Sequence, residues 1–476
     1  MARTLDRDTR MHNRVIVPHR WQIGLLRRPA RAIISFMRPR LRLNRLSALA
    51  FTVLLTASHA LAQATTRNGA PSTYFPPPGA AWQHRTPEQV GLTAKAIQDA
   101  VATALAAEST SPRDLLENHR NTFGREPFGE AIGPFRTRGG ASGLIIRHGY
   151  IVAEWGDPDR VDQTYSVTKS FVTTTVGLAY DRKMIRHLND PVYTYMAPIV
   201  ALRGAPSAKA PVVTVPLNAT GASTATVDAP PAAGVAFNAF DVLEPFESEH
   251  NRKITWDHLL RQTSDWEGTL WGKPDWADRP KGDIETWKVR PRDEPGAVYT
   301  YNDVRVNLMA LASLSLWRRP LPQVIKEYIM DPIGASHTWR WYGYDNSWIV
   351  LDGELVQSVA GGGHWGGGLI INSRDMARFG LLTLHKGKWG DKQLLSEAWI
   401  TMATTPGVNT GYGFANFFLN TGRKAIPSAP ESAFYHLGNG NNVIYVDPVN
   451  DIVIVARWMN NLRAMDAMVK GLLEQR

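Results

Sequence analysis

The chain has 476 residues and no cysteine. Disulfides, thiolate nucleophiles and cysteine-ligated metals are excluded together, so packing has to stabilise the fold, and 43 % hydrophobic residues supply the material for a sizeable core. Most of the chain also lacks an excess of charge. A formal net charge of +10 suggests a nucleic acid or an anionic membrane surface as partner until its distribution is followed. Residues 1–62 hold twelve Arg and two Asp, which accounts for all of it, and the chain after Ala62 has 41 basic against 41 acidic residues. A neutral body removes the main support for nucleic-acid binding. A long apolar run is missing too: the stretch from Leu46 to about Leu55 is soon interrupted by Ser58 and His59, short of the roughly 20 residues that a spanning helix needs. There is no G-x-S-x-G, no P-loop and no H-E-x-x-H, and none of the 13 His falls at ligand spacing, so no metal is expected.

What the N-terminal stretch does contain is the anatomy of a secretory signal. Arg38, Arg40, Arg42 and Arg45 precede the apolar run, and Ala60-Leu61-Ala62 follows it as a small-x-small site. This predicts cleavage after Ala62, export to a periplasm, and no stable membrane anchor afterwards. The 36 residues before Met37 are long for such a segment, and Met37 is the expected true start. Residues 63–83, with a Pro-rich stretch from Phe75 to Gly79, read as a linker, and residues 84–475 as the working domain.

Within that domain, apolar spacing predicts helices over Thr86–Glu108, Ser166–Arg182, Trp256–Arg261, Val304–Trp317, Leu321–Met330 and Leu462–Glu474. A hairpin is expected from 141–147 and 150–155 around His148-Gly149, with further strands at 412–419, 442–446 and 452–458. Residues 201–239 shift to Ala, Pro, Thr, Val and Gly with hardly any charge and read as an insertion. Strands at both ends with helices between them predict an α/β chain of the α+β type. An antiparallel sheet built from about 84–185 and 350–475 is flanked by helices, and a helical part at about 186–349 is inserted in it. The groove between the two parts is the expected site.

Ser166-Val167-Thr168-Lys169 is the one S-x-x-K of the chain. At the start of a helix this spacing puts the hydroxyl and the amine on one face, one turn apart. A serine hydroxyl needs a base before it can attack, and a lysine desolvated in a tight pocket can have its pKa lowered enough to be that base. The helix N-terminus adds N–H groups suited to an oxyanion. About one such motif is expected by chance in a chain of this size, so its company matters. P-G-A-V-Y-T-Y-N-D runs from Pro295 to Asp303, and His436-Leu437-Gly438 opens a predicted strand near the C-terminus. I-T-W-D-H-L-L-R-Q-T-S spans Ile254 to Ser264, and G-G-G-H-W-G-G-G-L spans Gly361 to Leu369, leading into Ser373–Phe379.

These five segments resemble those of the penicillin-recognising serine hydrolases related to class C β-lactamases, over roughly residues 84–475, and the three at Ser166–Lys169, Pro295–Asp303 and His436–Gly438 follow one another in that family's order. The resemblance implies an acyl-enzyme hydrolase with a β-lactamase/transpeptidase-like fold and no cofactor, acting on a small ester, amide or peptide. It implies Ser166 as nucleophile, Lys169 as proton acceptor and Tyr301 as the group that shares or relays the proton. His436 would line the opposite wall. The backbone N–H groups of Ser166 and Asn439 would hold the oxyanion, and Gly438 would leave room for substrate along the strand. The competing readings are a core aromatic for Tyr301 and a structural histidine for His436. The chain departs from the β-lactamase pattern at His436, where a lysine is usual, and at Asp303, where an asparagine is usual. Both changes weaken recognition of an anionic substrate, which favours an ester or amide hydrolase over a β-lactamase. A D-alanyl peptidase and a catalytically silent binding protein of the same fold are the alternatives.

Overall fold

The computed structural model describes residues 74–79, 81–203 and 240–475. The chain divides into two units, residues 1–70 and Pro71–Arg476. The expected leader and most of the expected insertion at 201–239 lie outside the described residues. Among those described, no helix is long and apolar enough to cross a membrane.

Helix α1 (Ala94–Ala106) leads into the hairpin of β1 (Ser142–Arg147) and β2 (Tyr150–Trp155). His148 and Gly149 both have positive φ, 53° and 82°, the conformation that a two-residue hairpin turn requires. After the short β3 (Asp162–Gln163), a turn of 3-10 helix at Tyr165–Val167 runs into α2 (Thr168–Asp181). Strands β4 (Ile199–Leu202) and β5 (Phe240–Leu243) flank the undescribed segment, and α3 (Asp303–Trp317) follows. Next come β6 (Arg340–Leu351), β7 (Glu354–Val359), β8 (Gly368–Ile371) and α4 (Ser373–Leu384). The chain closes with β9 (Phe418–Leu419), β10 (Phe434–Gly438), β11 (Asn442–Asp447), β12 (Ile452–Arg457) and α5 (Leu462–Glu474).

The main sheet has the order β9-β10-β11-β12-β1-β2 and is antiparallel throughout, joining the two ends of the chain as expected. β1 is buried at all six positions because the sheet is covered on both faces. Leu144 and Ile146 enter the large core with Phe379 of α4, whereas Ile145 enters a second core with Ala96 and Ile97 of α1 and Met465 and Met468 of α5. Strand alternation therefore sends successive side chains into two apolar layers, which is why β1 reads as a continuous apolar run.

A second sheet, β3-β8-β6-β4-β5 with β7 paired to β6, adds strands to the part at about 186–349 that was expected to be helical. β4 and β5 have four residues each, too short for a periodicity, and β4 is held by pairing with Ile349 and Val350 of β6 about 150 positions away. Three sequence-predicted boundaries also move. The 86–108 helix breaks at Gly91 (φ 72°), the helix after Leu321 passes from α to π at Lys326, and only Phe418–Leu419 of the 412–419 stretch is a strand. Helices α2 and α3 are buried along most of their length. Every residue of α2 from Thr168 to Ala179 is buried, and its threonines are satisfied within the core: Thr174 Oγ1 donates to Ser170 O at 2.8 Å, and Thr175 Oγ1 shares a 2.9 Å bond with Ser313 Oγ of α3.

Candidate active site

The head of α2 sets the site. Tyr165 has φ 48°, left-handed for a bulky residue, and this turns the chain sharply so that Ser166 sits in the 3-10 turn ahead of the helix. Lys169, one turn on, reaches back, and its Nζ donates to Ser166 Oγ at 2.8 Å. A cavity of about 310 Å³ opens over Ser166, bordered by Tyr301, Arg279 and His364 on one side and by the strand end Gly438–Asn441 on the other. The segment carrying Tyr301 is pinned to the loop after Leu260. Thr300 N donates to Gln262 O at 2.9 Å, and Asn302 N to Gln262 Oε1 at 2.8 Å. Asn302 then caps α3 by accepting from Arg305 N at 3.1 Å. The Ile254–Ser264 segment thus positions Tyr301 across the cavity.

Lys169 is completely buried, yet its amine is not depressed. Burial works to lower its pKa, but the Asp303 carboxylate, 2.6 Å away, and Tyr301 outweigh it, and the net shift is upward. The sequence-based premise that desolvation makes Lys169 a neutral base is therefore corrected: in the free protein Lys169 is an ammonium donating to both Ser166 and Asp303.

Asp303 is likewise not a negative charge exposed to substrate. It is 1 % exposed and sits at the first turn of α3, where the helix N-terminus favours a carboxylate. Its Oδ1 accepts from Lys169 and its Oδ2 from Arg279 Nη1 at 2.7 Å. Burial opposes its ionisation, but Lys169, Arg279 and His364 overcome it and hold the carboxyl well below the usual range. Arg279, which no motif announces, lies with its guanidinium 5.0 Å from the Tyr301 ring centre and 5.3 Å from that of Phe123. It also bonds Asp278 Oδ1 at 2.5 Å, and the Asp303 main-chain N–H donates to Asp278 Oδ2. Asp278 is fully buried, and burial foremost, with Asp303 adding to it against Arg279, raises its pKa to about 6.

His436 does not line the wall. Strand β10 turns its side chain away from the cavity, where Nδ1 pairs with Ser170 Oγ at 2.9 Å and the ring packs among Phe379, Phe417 and Phe434. Burial lowers its pKa to about 3, so the ring is neutral. This is the structural histidine of the two readings. Gly438 borders the cavity, but its missing side chain serves the loop that carries Ser166: a Cβ there would run into the Thr164 carbonyl and stand 3.3 Å from Ser166 N. Asn439, the next residue, lines the cavity.

Glu126, Asp278 and His364 bring ligand-type atoms within 4.8 Å of one another. The guanidinium of Arg279, bonded to Asp278, already supplies the positive charge there, and a metal ion would have to be accommodated against it.

The beta-lactamase family model matches residues 128–467, well over half of the chain. The chain belongs to the beta-lactamase family. Among curated proteins, a proposed D-alanyl-D-alanine carboxypeptidase of Escherichia coli O157:H7 is 25 % identical over 206 residues, covering 36 % of this chain and 48 % of that protein. The chain spans about half the length of the curated relatives it matches. Among solved structures, a proposed 6-aminohexanoate-dimer hydrolase from Bacillus anthracis aligns at 13 % identity and a TM-score of 0.47, covering 84 % of this chain and 88 % of that one. A penicillin-binding protein homologue from Caulobacter crescentus aligns at 12 % identity and a TM-score of 0.45, covering 77 % and 99 %.

In this beta-lactamase-family site one further residue escaped the motif reading. Gly362 lies against the buried ion pair, and a Cβ there would overlap both Asp303 Oδ1 and Lys169 Nζ. The signal was present as the glycine run at 361–368, which the sequence offers as one of the five segments of the family resemblance without a role for Gly362. Gly362→Ala is expected to force the pair apart and to cost about 1–3 kcal/mol, as overpacking of a filled interior does. Urea unfolding of the variant beside the parent checks this, and an unchanged midpoint would place the methyl in free space.

Proposed function

We propose that the protein is an exported serine hydrolase that cleaves an ester or amide bond of a small molecule through an acyl-enzyme on Ser166. The observation that supports this most is the 2.8 Å bond between Ser166 Oγ and Lys169 Nζ at the head of a buried helix, opening on a cavity that Tyr301 faces. In this reading Ser166 Oγ bonds to the substrate carbonyl carbon. The oxyanion is held by the N–H groups of Ser166 and Asn439, and the leaving group departs with a proton. Water then cleaves the acyl-enzyme. Lys169 and Tyr301 act as the acid/base pair. Because Lys169 rests as an ammonium, it must give up a proton before it can take one from Ser166. With its pKa raised, kcat/KM is expected to climb with pH from neutral into the alkaline range, which stopped assays of a carboxylic ester after subtraction of the buffer rate would follow. A profile that falls across that range would remove Lys169 from the proton path.

The test of the reaction is intact-protein mass spectrometry of the full chain and of Ser166→Ala after a fluorophosphonate probe, beside turnover of p-nitrophenyl butyrate and nitrocefin. Labelling and ester turnover that disappear with Ser166 while nitrocefin stays intact support an esterase or amidase. Labelling that persists in the variant puts the nucleophile elsewhere. The partial match to a carboxypeptidase favours a second reading, a D-alanyl peptidase, for which release of D-alanine from a stem-peptide mimic is the readout. Export through the leader is part of the proposal, and N-terminal sequencing of secreted protein should begin at Gln63.

A further inference from the structure

From the cavity border at His364 inward lies a second set of titratable groups that the proposed reaction does not use. His364 is buried between the rings of Phe123 and Trp365, with centroids 4.2 and 4.3 Å away. Its Nε2 is 2.8 Å from Glu126 Oε2 and 3.6 Å from Asp278 Oδ1. Its Nδ1 is 3.6 Å from Asp303 Oδ2 and has no hydrogen-bond partner among the described residues. Asp303 in turn holds Lys169, and Lys169 holds Ser166. Glu126, His364, Asp303, Lys169 and Ser166 therefore stand in one file.

Burial, then Arg279, push the His364 pKa well down despite Asp303, so the ring is neutral and has one N–H to place. If Glu126 is a carboxyl acid, its O–H donates to Nε2 and the ring hydrogen sits on Nδ1, pointing toward Asp303. If Glu126 is a carboxylate, the hydrogen sits on Nε2 and donates to Glu126, and Nδ1 turns a lone pair on the Asp303 carboxylate. Both arrangements fit the same heavy-atom positions. The groups that face Glu126 are His364, the buried Asp278, Asp303, and Arg279 through its charge and its main-chain N–H. His364 is faced in addition by Lys169 and His119. Burial and Asp278 raise the Glu126 carboxyl to about 7 against the pull of Arg279, so both arrangements are populated near neutral pH.

We infer that Glu126 is a positioning residue acting through His364: the proton on Glu126 selects which His364 nitrogen carries hydrogen, and thereby how firmly Asp303 keeps the proton on Lys169. The inference rests on the Ser166–Lys169 reading above. With Glu126 protonated, Nδ1–H stabilises the Asp303 charge and loosens its hold on the ammonium. With Glu126 ionised, that support is lost, a further negative charge is added behind the pair, and Lys169 gives up its proton less readily. The rise of kcat/KM with pH should therefore flatten near pH 7.

Glu126→Gln mimics the protonated acid, because an amide N–H can donate to Nε2. Its kcat/KM for p-nitrophenyl butyrate is expected to match the parent at pH 5.5 and to exceed it at least threefold at pH 8.5, without the flattening. In the parent, the ¹⁵N shifts of His364, assigned by their loss in His364→Asn, should pass from the Nδ1–H to the Nε2–H tautomer with the same midpoint. Profiles of parent and variant that superimpose after scaling overturn the inference. So does a single His364 tautomer from pH 5.5 to 8.5, which decides the matter in the parent even if the glutamine variant fails to fold. If ester turnover survives Ser166→Ala, the functional reading fails, and the tautomer titration still shows whether Glu126 governs His364.

Discussion

Asp303→Asn is expected to cost about 3–5 kcal/mol of stability at pH 7, the scale for breaking a buried ion pair from one side. By resemblance to the family an asparagine is usual at this position, so the change looks like a return to the common residue. The structure argues otherwise. Lys169 is fully buried and Arg279 is tied to the same carboxylate, and Asp278 is left as the nearest remaining acid. An amide offers one accepting oxygen and turns an NH2 donor toward the other cation, where two cations now divide two charged oxygens. The pH dependence gives the effect a signature. The pKa of Asp303 is depressed in the fold, so its contribution is fully present above the ordinary carboxylate pKa of about 4 and is lost progressively as pH falls from there through the lower pKa of the folded state. The gap between parent and variant should accordingly narrow in strong acid, as urea midpoints at pH 7 and pH 2.5 would record. The same variant removes what chiefly opposes burial at Lys169, so its activity profile should move to lower pH. A difference below about 1 kcal/mol at pH 7 would mean that water or Asp278 replaces Asp303.

His436→Lys has the next largest expected effect, and it concerns the substrate. Installing the lysine usual in β-lactamases ought to restore recognition of a substrate carboxylate if this position faced the cavity. The side chain instead lies behind β10 among three phenylalanine rings, with Ser170 as its bonded side-chain partner. An ammonium there would be buried, and burial already drives His436 neutral. The cost is expected to reach several kcal/mol, appearing as loss of soluble protein or a large fall in Tm, with no gain of nitrocefin turnover. A variant that keeps its Tm within a few degrees and gains nitrocefin turnover would show that β10 presents this position to substrate.

These two positions mark where reading along the chain stops. Ser166 and Lys169 are legible because three residues of helix put them on one face whatever surrounds them, and the bond between them is local. The hairpin at His148-Gly149 and helix α5 are legible for the same reason, since turn chemistry and apolar spacing act over a few residues. The antiparallel sheet joining both ends was legible from the order of its strands. Which way His436 points was not, because a one-residue step along a strand exchanges cavity for core and no spacing distinguishes the two.

The charge state of Lys169 was equally out of reach. Its partner Asp303 stands 134 positions away, Arg279 comes from a loop without a motif, and Gly362 leaves the space in which the pair meets. Whether burial makes an amine neutral or a counter-charge keeps it an ammonium depends on distances of a few ångströms between segments far apart in the chain. Sequence by itself named the nucleophile candidate, its neighbour and the family resemblance, because those rest on short-range geometry. Packing of α2, α3 and the glycine run decided the electrostatics, because Coulomb energy in a buried site is set by separation in space.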